Sequence, residues 1–151
     1  MAEQGSPAPR QPPAVLLVDD EPLLLDMIAQ ELRQSFDLHT ASSAAEAAKQ
    51  VAARRFDVVV CDHMLPGEQG LDFLTRLMEE CPSTRRILMT GYTNIEFISR
   101  SMLIGGLSAC LVKPLRAAEI ARAIEEALGT GQLRERTREP GAQERRGRAA
   151  P

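Results

Sequence analysis

The sequence predicts an α/β fold, a doubly wound parallel sheet of five strands with helices on both faces. Two observations carry this. Five short apolar or β-branched runs alternate strictly with five stretches of helical periodicity. Alternation of that kind builds a parallel sheet with crossover helices rather than a sandwich or a bundle. The length, 151 residues, suits one domain with a sizeable core.

Residues 1–13 are rich in Pro, Gln, Ser and Gly and are expected to form a disordered leader. Ala14 to Val18 is continuously apolar, as a strand covered on both faces must be. It ends in Asp19-Asp20-Glu21, and Pro22 opens a helix, where its missing N–H costs nothing. Leu25, Ile28 and Leu32 fall on the inner face of that helix, with Asp26, Gln30 and Arg33 turned outward. Phe36 to Ala41 is a weaker second strand. Ser43 is placed to cap the next helix, with Glu46 in position for a capping box, and Ala44, Ala48 and Val51 form its small-residue stripe.

Asp57 to Cys61 is the third strand, running straight into Asp62 before the chain breaks at Leu65-Pro66-Gly67. Gly70 to Cys81 reads as a helix with Leu71, Leu74, Leu77 and Met78 on one face, stopped by Pro82. Arg86 to Met89 is the fourth strand. Asn94 caps a helix reaching Ile104, which Gly105-Gly106 ends. Leu107 to Val112 is the fifth strand, and Ala117 to Leu128 the last helix, with Ile120, Ile124 and Leu128 in register. Residues 130–151 hold six Arg and three Glu and are expected to be a disordered, solvated tail.

Composition excludes several classes. No apolar run approaches the roughly 20 residues of a membrane span, and the N-terminus has no apolar signal region. Three scattered cysteines without an export signal point to reduced thiols and a cytoplasmic location. His39 and His63 are too few and too far from the thiols for a zinc site. Residues 14–129 carry 11 Lys plus Arg against 17 Asp plus Glu, so the body is acidic and disfavours direct nucleic-acid binding.

The chemistry lies where the strands end. Asp19 and Asp20 follow the first strand, Asp62 the third, Thr90 the fourth and Lys113 the fifth. A parallel sheet brings all these ends to one edge, which is where open α/β sheets bind ligands. Three carboxylates so placed repel one another. Lys113 supplies one compensating charge, and a hard divalent cation such as Mg²⁺ suits the oxygen donors. Such a site can neutralise a phosphoryl group in transfer, with a carboxylate as nucleophile.

From Ala14 to Gly129 the chain resembles the receiver domain of two-component response regulators. The resemblance rests on Asp19-Asp20, on Asp62 with Met64-Leu65-Pro66-Gly67 and Gly70, on Thr90-Gly91 and on Lys113-Pro114, all in order and at matching spacing. It implies a flavodoxin-like sheet in strand order 2-1-3-4-5. It implies that Asp62 accepts phosphate from a sensor histidine kinase or phosphotransfer protein. Asp19 or Asp20, Asp62 and the Met64 carbonyl would hold Mg²⁺, one acid acting through water. Thr90 and Lys113 would contact phosphoryl oxygens, and Gly91 would leave room for the group. Acetyl phosphate is a candidate small donor. A downstream protein partner is expected at the surface of the fourth helix, fifth strand and fifth helix, and the apolar Asn94–Ile104 helix makes a homodimer face a further candidate. The chain would be a stand-alone regulator or a fragment of a longer one.

The sequence departs from the family at Cys110, where Phe or Tyr is usual; that predicts an altered or weakened switch surface. A degenerate receiver, binding partners without phosphate, is the alternative that Cys110 supports. Met64 and Tyr92 are bulky and lack a group to orient water, which predicts a long-lived acyl phosphate. Cys61 and Cys110 read as packing rather than redox groups. A dehalogenase-like phosphatase would need a second Asp where Met64 stands, and no glycine-rich phosphate cradle or Walker motif is present.

Overall fold

The computed structural model describes residues 11–130. Five strands, β1 (Ala14–Val18), β2 (Asp37–Ala41), β3 (Val58–Asp62), β4 (Arg85–Thr90) and β5 (Ala109–Val112), form one parallel sheet in the order β2-β1-β3-β4-β5. Five helices connect and close it: α1 (Pro22–Leu32), α2 (Ala44–Ala53), α3 (Gly70–Glu80), α4 (Ile95–Gly105) and α5 (Ala117–Glu125), the last continued by a π-helical turn at Glu126–Thr130. This is the doubly wound five-stranded fold expected from the sequence. Residues 1–10 of the expected leader and 131–151 of the expected Arg-rich tail lie outside the described residues.

Strand alternation divides the core in two. Val15, Leu17, Val58, Val60, Ile87 and Met89 face α1 and α5. Leu16, Val18, Val59, Cys61 and Leu88 face the other way, against the α2 and α3 residues Ala44, Ala47, Phe73, Leu74 and Leu77. The three central strands are therefore apolar on both sides, which is why they read as unbroken runs. In α1, Leu25, Ile28 and Leu32 are buried, as their spacing demands.

Several boundaries differ from the sequence reading, each for a local reason. β3 begins at Val58 rather than Asp57, because the Asp57 carboxylate instead accepts the Ala14 N–H at 2.8 Å. β5 begins at Ala109 rather than Leu107. Leu107 belongs to the end of α4: its N–H donates to the Met102 carbonyl at 3.1 Å, and Gly106 before it is left-handed at φ 56°. The Ser43 cap forms, with Ser43 Oγ accepting the Glu46 N–H at 3.0 Å. Its reciprocal half is displaced by one residue, since Glu46 Oε1 accepts from the N–H of Ser42 rather than of Ser43. In α2 the deepest residues are Ala44 and Ala47, not the Ala48 and Val51 that complete the expected stripe.

Candidate functional site

The C-terminal edge of the sheet gathers the five strand-end residues. Asp19 directly follows β1 and is 2% exposed; its N–H donates to the Ala41 carbonyl, and its Oδ1 accepts the Glu21 N–H at 3.0 Å. That second bond fixes the carboxylate at the turn into α1, where Pro22 itself has no N–H to satisfy. Asp20 beside it is exposed. Asp62 is the last residue of β3 and is 4% exposed. Oxygens from Asp19, Asp20 and Asp62 all lie within 4.8 Å of one another.

Lys113 reaches into this group from the far side. Its backbone N–H donates to the Thr90 carbonyl at 2.8 Å, which extends the β4–β5 pairing by one residue. Its Nζ lies 3.2 Å from Asp62 Oδ1 and 3.4 Å from Asp19 Oδ2. Thr90 ends β4, is buried, and accepts the Tyr92 N–H on Oγ1 at 3.0 Å, which leaves its own O–H free to donate. A Cβ built on Gly91 meets nothing within 4 Å, so there is open space beside Thr90. The Met64 side chain is 55% exposed, and the Tyr92 O–H points to its Sδ at 3.6 Å. An open groove of about 360 Å³, lined by Leu24, Ile28, Leu115 and Ile120, runs from Asp19 and Lys113 between α1 and α5.

One lysine does not balance three acids. Burial raises the Asp62 pKa from its ordinary value; Lys113 opposes this, and the charges of Asp19 and Asp20 add to it. Burial alone would lower the Lys113 pKa, but the charges of Asp62 and Asp19 and the hydrogen bonds to both outweigh it, and the net shift is upward. The site thus carries an excess of negative charge that a divalent cation would relieve, and its donors are all hard oxygens of the kind Mg²⁺ takes.

A stability prediction follows from the Asp62 shift. A carboxyl whose folded pKa exceeds its unfolded one favours folding when protonated. Stability therefore falls as pH rises through that interval, and the full cost is borne at neutral pH. Without divalent cations, Asp62→Asn is expected to stabilise the protein at neutral pH. The gain should vanish below the ordinary carboxylate range. Urea unfolding at the two pH values measures it; a loss at neutral pH would contradict it.

The chain matches the family described as "Response regulator receiver domain" over residues 15–125.

The chain belongs to that family.

Similar proteins agree. The receiver is 36% identical over 111 residues to the probable transcriptional regulatory protein TcrX of Mycobacterium tuberculosis, covering 73% of this chain and 47% of that one. It is 35% identical over 100 residues to the hydrogenase transcriptional regulatory protein HoxA of Cupriavidus necator, covering 66% of this chain and 21% of that one. The receiver thus spans about half or less of the length of these curated relatives. Among solved structures, it is similar to the signal receiver domain of an HD domain-containing protein from Pseudomonas fluorescens Pf-5. That match has a TM-score of 0.75 and 32% identity, and it covers 88% of this chain and 98% of that one. A CheY-like receiver from Methanospirillum hungatei JF-1 aligns with TM-score 0.74 at 26% identity, covering 82% and 98%.

Two residues of the receiver site have roles that the sequence reading did not assign. Gly70 starts α3 against the backbone of Asp62, and its N–H donates to the His63 carbonyl at 2.8 Å. A Cβ there would lie 2.1 Å from the Asp62 carbonyl oxygen. Only the position of Gly70 within the motif hinted at this. His63, considered from sequence only as a zinc ligand, is 3% exposed and packs edge-on against Phe97 and Tyr92, with centroids at 5.1 and 5.8 Å. The signal was present: in a strand the residue after Asp62 points to the opposite face, under a helix.

The thiols are placed as packing groups. Cys61 and Cys110 are separated by Leu88 of β4, in register with both. Burial first, then the charges of Asp62 and Asp19, hold the Cys61 thiol far above its ordinary pKa, so it stays protonated and unreactive. Cys110, on the edge strand, is only half-buried, and burial raises its pKa too.

Proposed function

We propose that this receiver is a phosphorylation-controlled switch that accepts a phosphoryl group on Asp62 from a sensor histidine kinase or a phosphotransfer protein. The observation that carries this is Lys113 Nζ held between Asp62 and Asp19, at 3.2 and 3.4 Å, on the edge of a three-carboxylate group. Asp19, Asp20, Asp62 and the Met64 carbonyl would hold Mg²⁺, with one acid acting through water. Bound there, the cation would offset charge on the phosphoryl oxygens.

Asp62 attacks phosphorus through a carboxylate oxygen. The bond from phosphorus to the donor imidazole nitrogen breaks, its electron pair stays on the ring, and an acyl phosphate forms on Asp62. Lys113 pairs with one phosphoryl oxygen and the Thr90 hydroxyl donates to another, while the open space at Gly91 accommodates the group. The product stays on the protein, so the chain acts stoichiometrically rather than as a turnover enzyme. A cytoplasmic location matches such a donor. The acceptor, lysine and hydroxyl sit together, which favours this reading over a degenerate receiver. Acetyl phosphate with Mg²⁺ is expected to add one phosphoryl group to wild type and none to Asp62→Asn, read by intact mass. Equal labelling of the two would refute the reading.

The output partner would bind across α4, β5 and α5. On α4, Ile95 and Leu103 are 78% and 83% exposed, and Ile104 is exposed as well, apolar side chains open to a downstream protein or a second copy. With Cys110 in place of an aromatic ring, β5 contributes less to that switch than in relatives with Phe or Tyr.

Met64 and Tyr92 meet over the site and bring no carboxylate or amide to orient water. The acyl phosphate is therefore expected to be long-lived. Met64→Asn should shorten its half-life by about tenfold, equivalent to about 1.4 kcal/mol of barrier. Loss of label from purified phosphoprotein measures this, and rapid decay unchanged by the substitution would contradict it.

A further inference from the structure

The groove between α1 and α5 opens directly off the acceptor site, yet none of the phosphoryl contacts assigned to Asp62, Thr90 and Lys113 uses its length. Its charged residues come from the strand ends: Asp19 and Glu21 after β1, and Lys113 after β5. Its apolar lining comes from deeper in the fold. Ile28 of α1, Met89 of β4 and Ile120 of α5 are 8%, 1% and 0% exposed, so they form a floor rather than a surface. Half-buried Leu24 on α1 and Leu115 in the loop before α5 flank that floor, and both pack against the core on this face of the sheet. Helices that follow parallel strands run back from the strand-end edge. The groove therefore changes character along its length, from charged beside Asp62 to hydrocarbon away from it.

That gradient restricts what can lie in it. Lys113 Nζ already faces Asp62 and Asp19, so the mouth has no cation to spare for a second anionic group, and Glu21 adds a further negative charge. A ligand must then carry its charge in one head, at the acceptor site, and an uncharged tail. Apolar walls wetted by solvent gain free energy when a hydrocarbon chain replaces that water. A volume of about 360 Å³ is near the lower end for sites that hold small molecules, which suits one short alkyl chain.

We propose that the groove holds the alkyl chain of a small phosphodonor, so that the receiver takes its phosphoryl group from medium-chain acyl phosphates, such as hexanoyl phosphate, in preference to acetyl phosphate. This rests on the phosphoacceptor reading and names a substrate class for it. An Asp62 carboxylate oxygen attacks phosphorus. The bond from phosphorus to the acyl oxygen breaks, its electron pair leaves with the fatty carboxylate, and no proton is transferred. Lys113 joins the two regions: a phosphoryl oxygen paired with its Nζ puts the rest of the donor at the groove mouth. A fully buried methylene is worth about fourfold in binding, and about twofold is expected in an open groove. The four methylenes that separate hexanoyl from acetyl phosphate then give about tenfold or more.

Binding and transfer test this separately. With Mg²⁺ present, hexylphosphonate is expected to bind at least about tenfold tighter than methylphosphonate, with NMR shifts at the methyls of Leu24, Ile28, Leu115 and Ile120. 6-Phosphonohexanoate, whose tail ends in a carboxylate, should bind no tighter than methylphosphonate. Equal binding of the two alkyl compounds, or no binding of either, would overturn the groove assignment. In transfer, read by intact mass, the second-order rate with hexanoyl phosphate should exceed that with acetyl phosphate about tenfold. The two carboxylates are leaving groups of nearly equal strength, so the ratio reports the chain. Leu24→Gln and Leu115→Gln, one on each side of the groove, should each bring that ratio below about threefold. Taking the ratio within each variant cancels any general loss of uptake. A wild-type ratio near one, or a full ratio in both variants, would overturn the proposal. Uptake from neither donor would instead defeat the phosphoacceptor reading, while the phosphonates still decide whether the groove takes a chain.

Discussion

Gly70→Ala is expected to destabilise the protein by about 3 kcal/mol or more, at the upper end of what overpacking costs. The added Cβ would sit 2.1 Å from the Asp62 carbonyl oxygen, 2.9 Å from its carbonyl carbon and 3.0 Å from His63 Cα. All three are backbone atoms, so no side-chain rotation relieves the overlap. Either α3 lifts from β3, breaking the Gly70 N–H bond to His63, or Asp62 shifts out of the carboxylate group. Both outcomes also weaken cation binding. Gly91→Ala is the internal control. Its Cβ enters open space, so its stability should stay within about 0.5 kcal/mol of wild type. Phosphoryl uptake should nevertheless drop, because that is the space proposed for the group. Urea unfolding of the two variants separates a packing glycine from a site glycine, and equal stabilities would contradict the distinction.

Lys113→Ala has the second large effect. It removes the cation facing two carboxylates that are 2% and 4% exposed at the residue level. Removing one partner of a buried ion pair typically costs 3–5 kcal/mol, and because the Lys113 side chain is 25% exposed, about 2–3 kcal/mol is expected here. The sign of the pH dependence is fixed. The Lys113 pKa is raised on folding, so in wild type its contribution is fully present below the ordinary lysine pKa and is lost only as pH rises through the raised value. In Lys113→Ala, the Asp62 carboxyl loses the influence that lowers its pKa, so the variant should regain stability relative to wild type as pH falls and Asp62 is protonated. Millimolar Mg²⁺ should also stabilise the variant more than wild type, since among the described residues no other positive charge then pairs with Asp19 and Asp62. A variant indifferent to both pH and Mg²⁺ would mean that the carboxylates are already neutral or too far apart to matter. Phosphoryl uptake by the variant should be severely reduced.

The strand ends were legible because parallel topology leaves little choice. Once Ala14–Val18, Val58–Asp62 and Arg85–Thr90 are strands of one parallel sheet, Asp19, Asp62 and Thr90 must share an edge. The central strands are apolar on both faces and announce themselves. β5 was harder: it is an edge strand, half-buried throughout, and the apolar Leu107 before it serves the α4 cap instead. Helix α4 was ambiguous for a related reason. With apolar residues on every side, the sequence gives no stripe, and only packing shows that Ser101 and Gly105 are inside while Leu103 faces water. The closeness of Gly70 to Asp62 and the path of His63 under α4 depend on how α3 and α4 sit on the sheet, which no spacing rule encodes.

The most direct measurement is the chemical position of the phosphoryl group. After treatment with acetyl phosphate and Mg²⁺, borohydride reduces an acyl phosphate on aspartate to homoserine, which peptide sequencing locates. Homoserine at position 62, absent without Mg²⁺ and severely reduced in Lys113→Ala, is the predicted result. Phosphate on a different side chain, or undiminished homoserine when the cation and the lysine are removed, would contradict it.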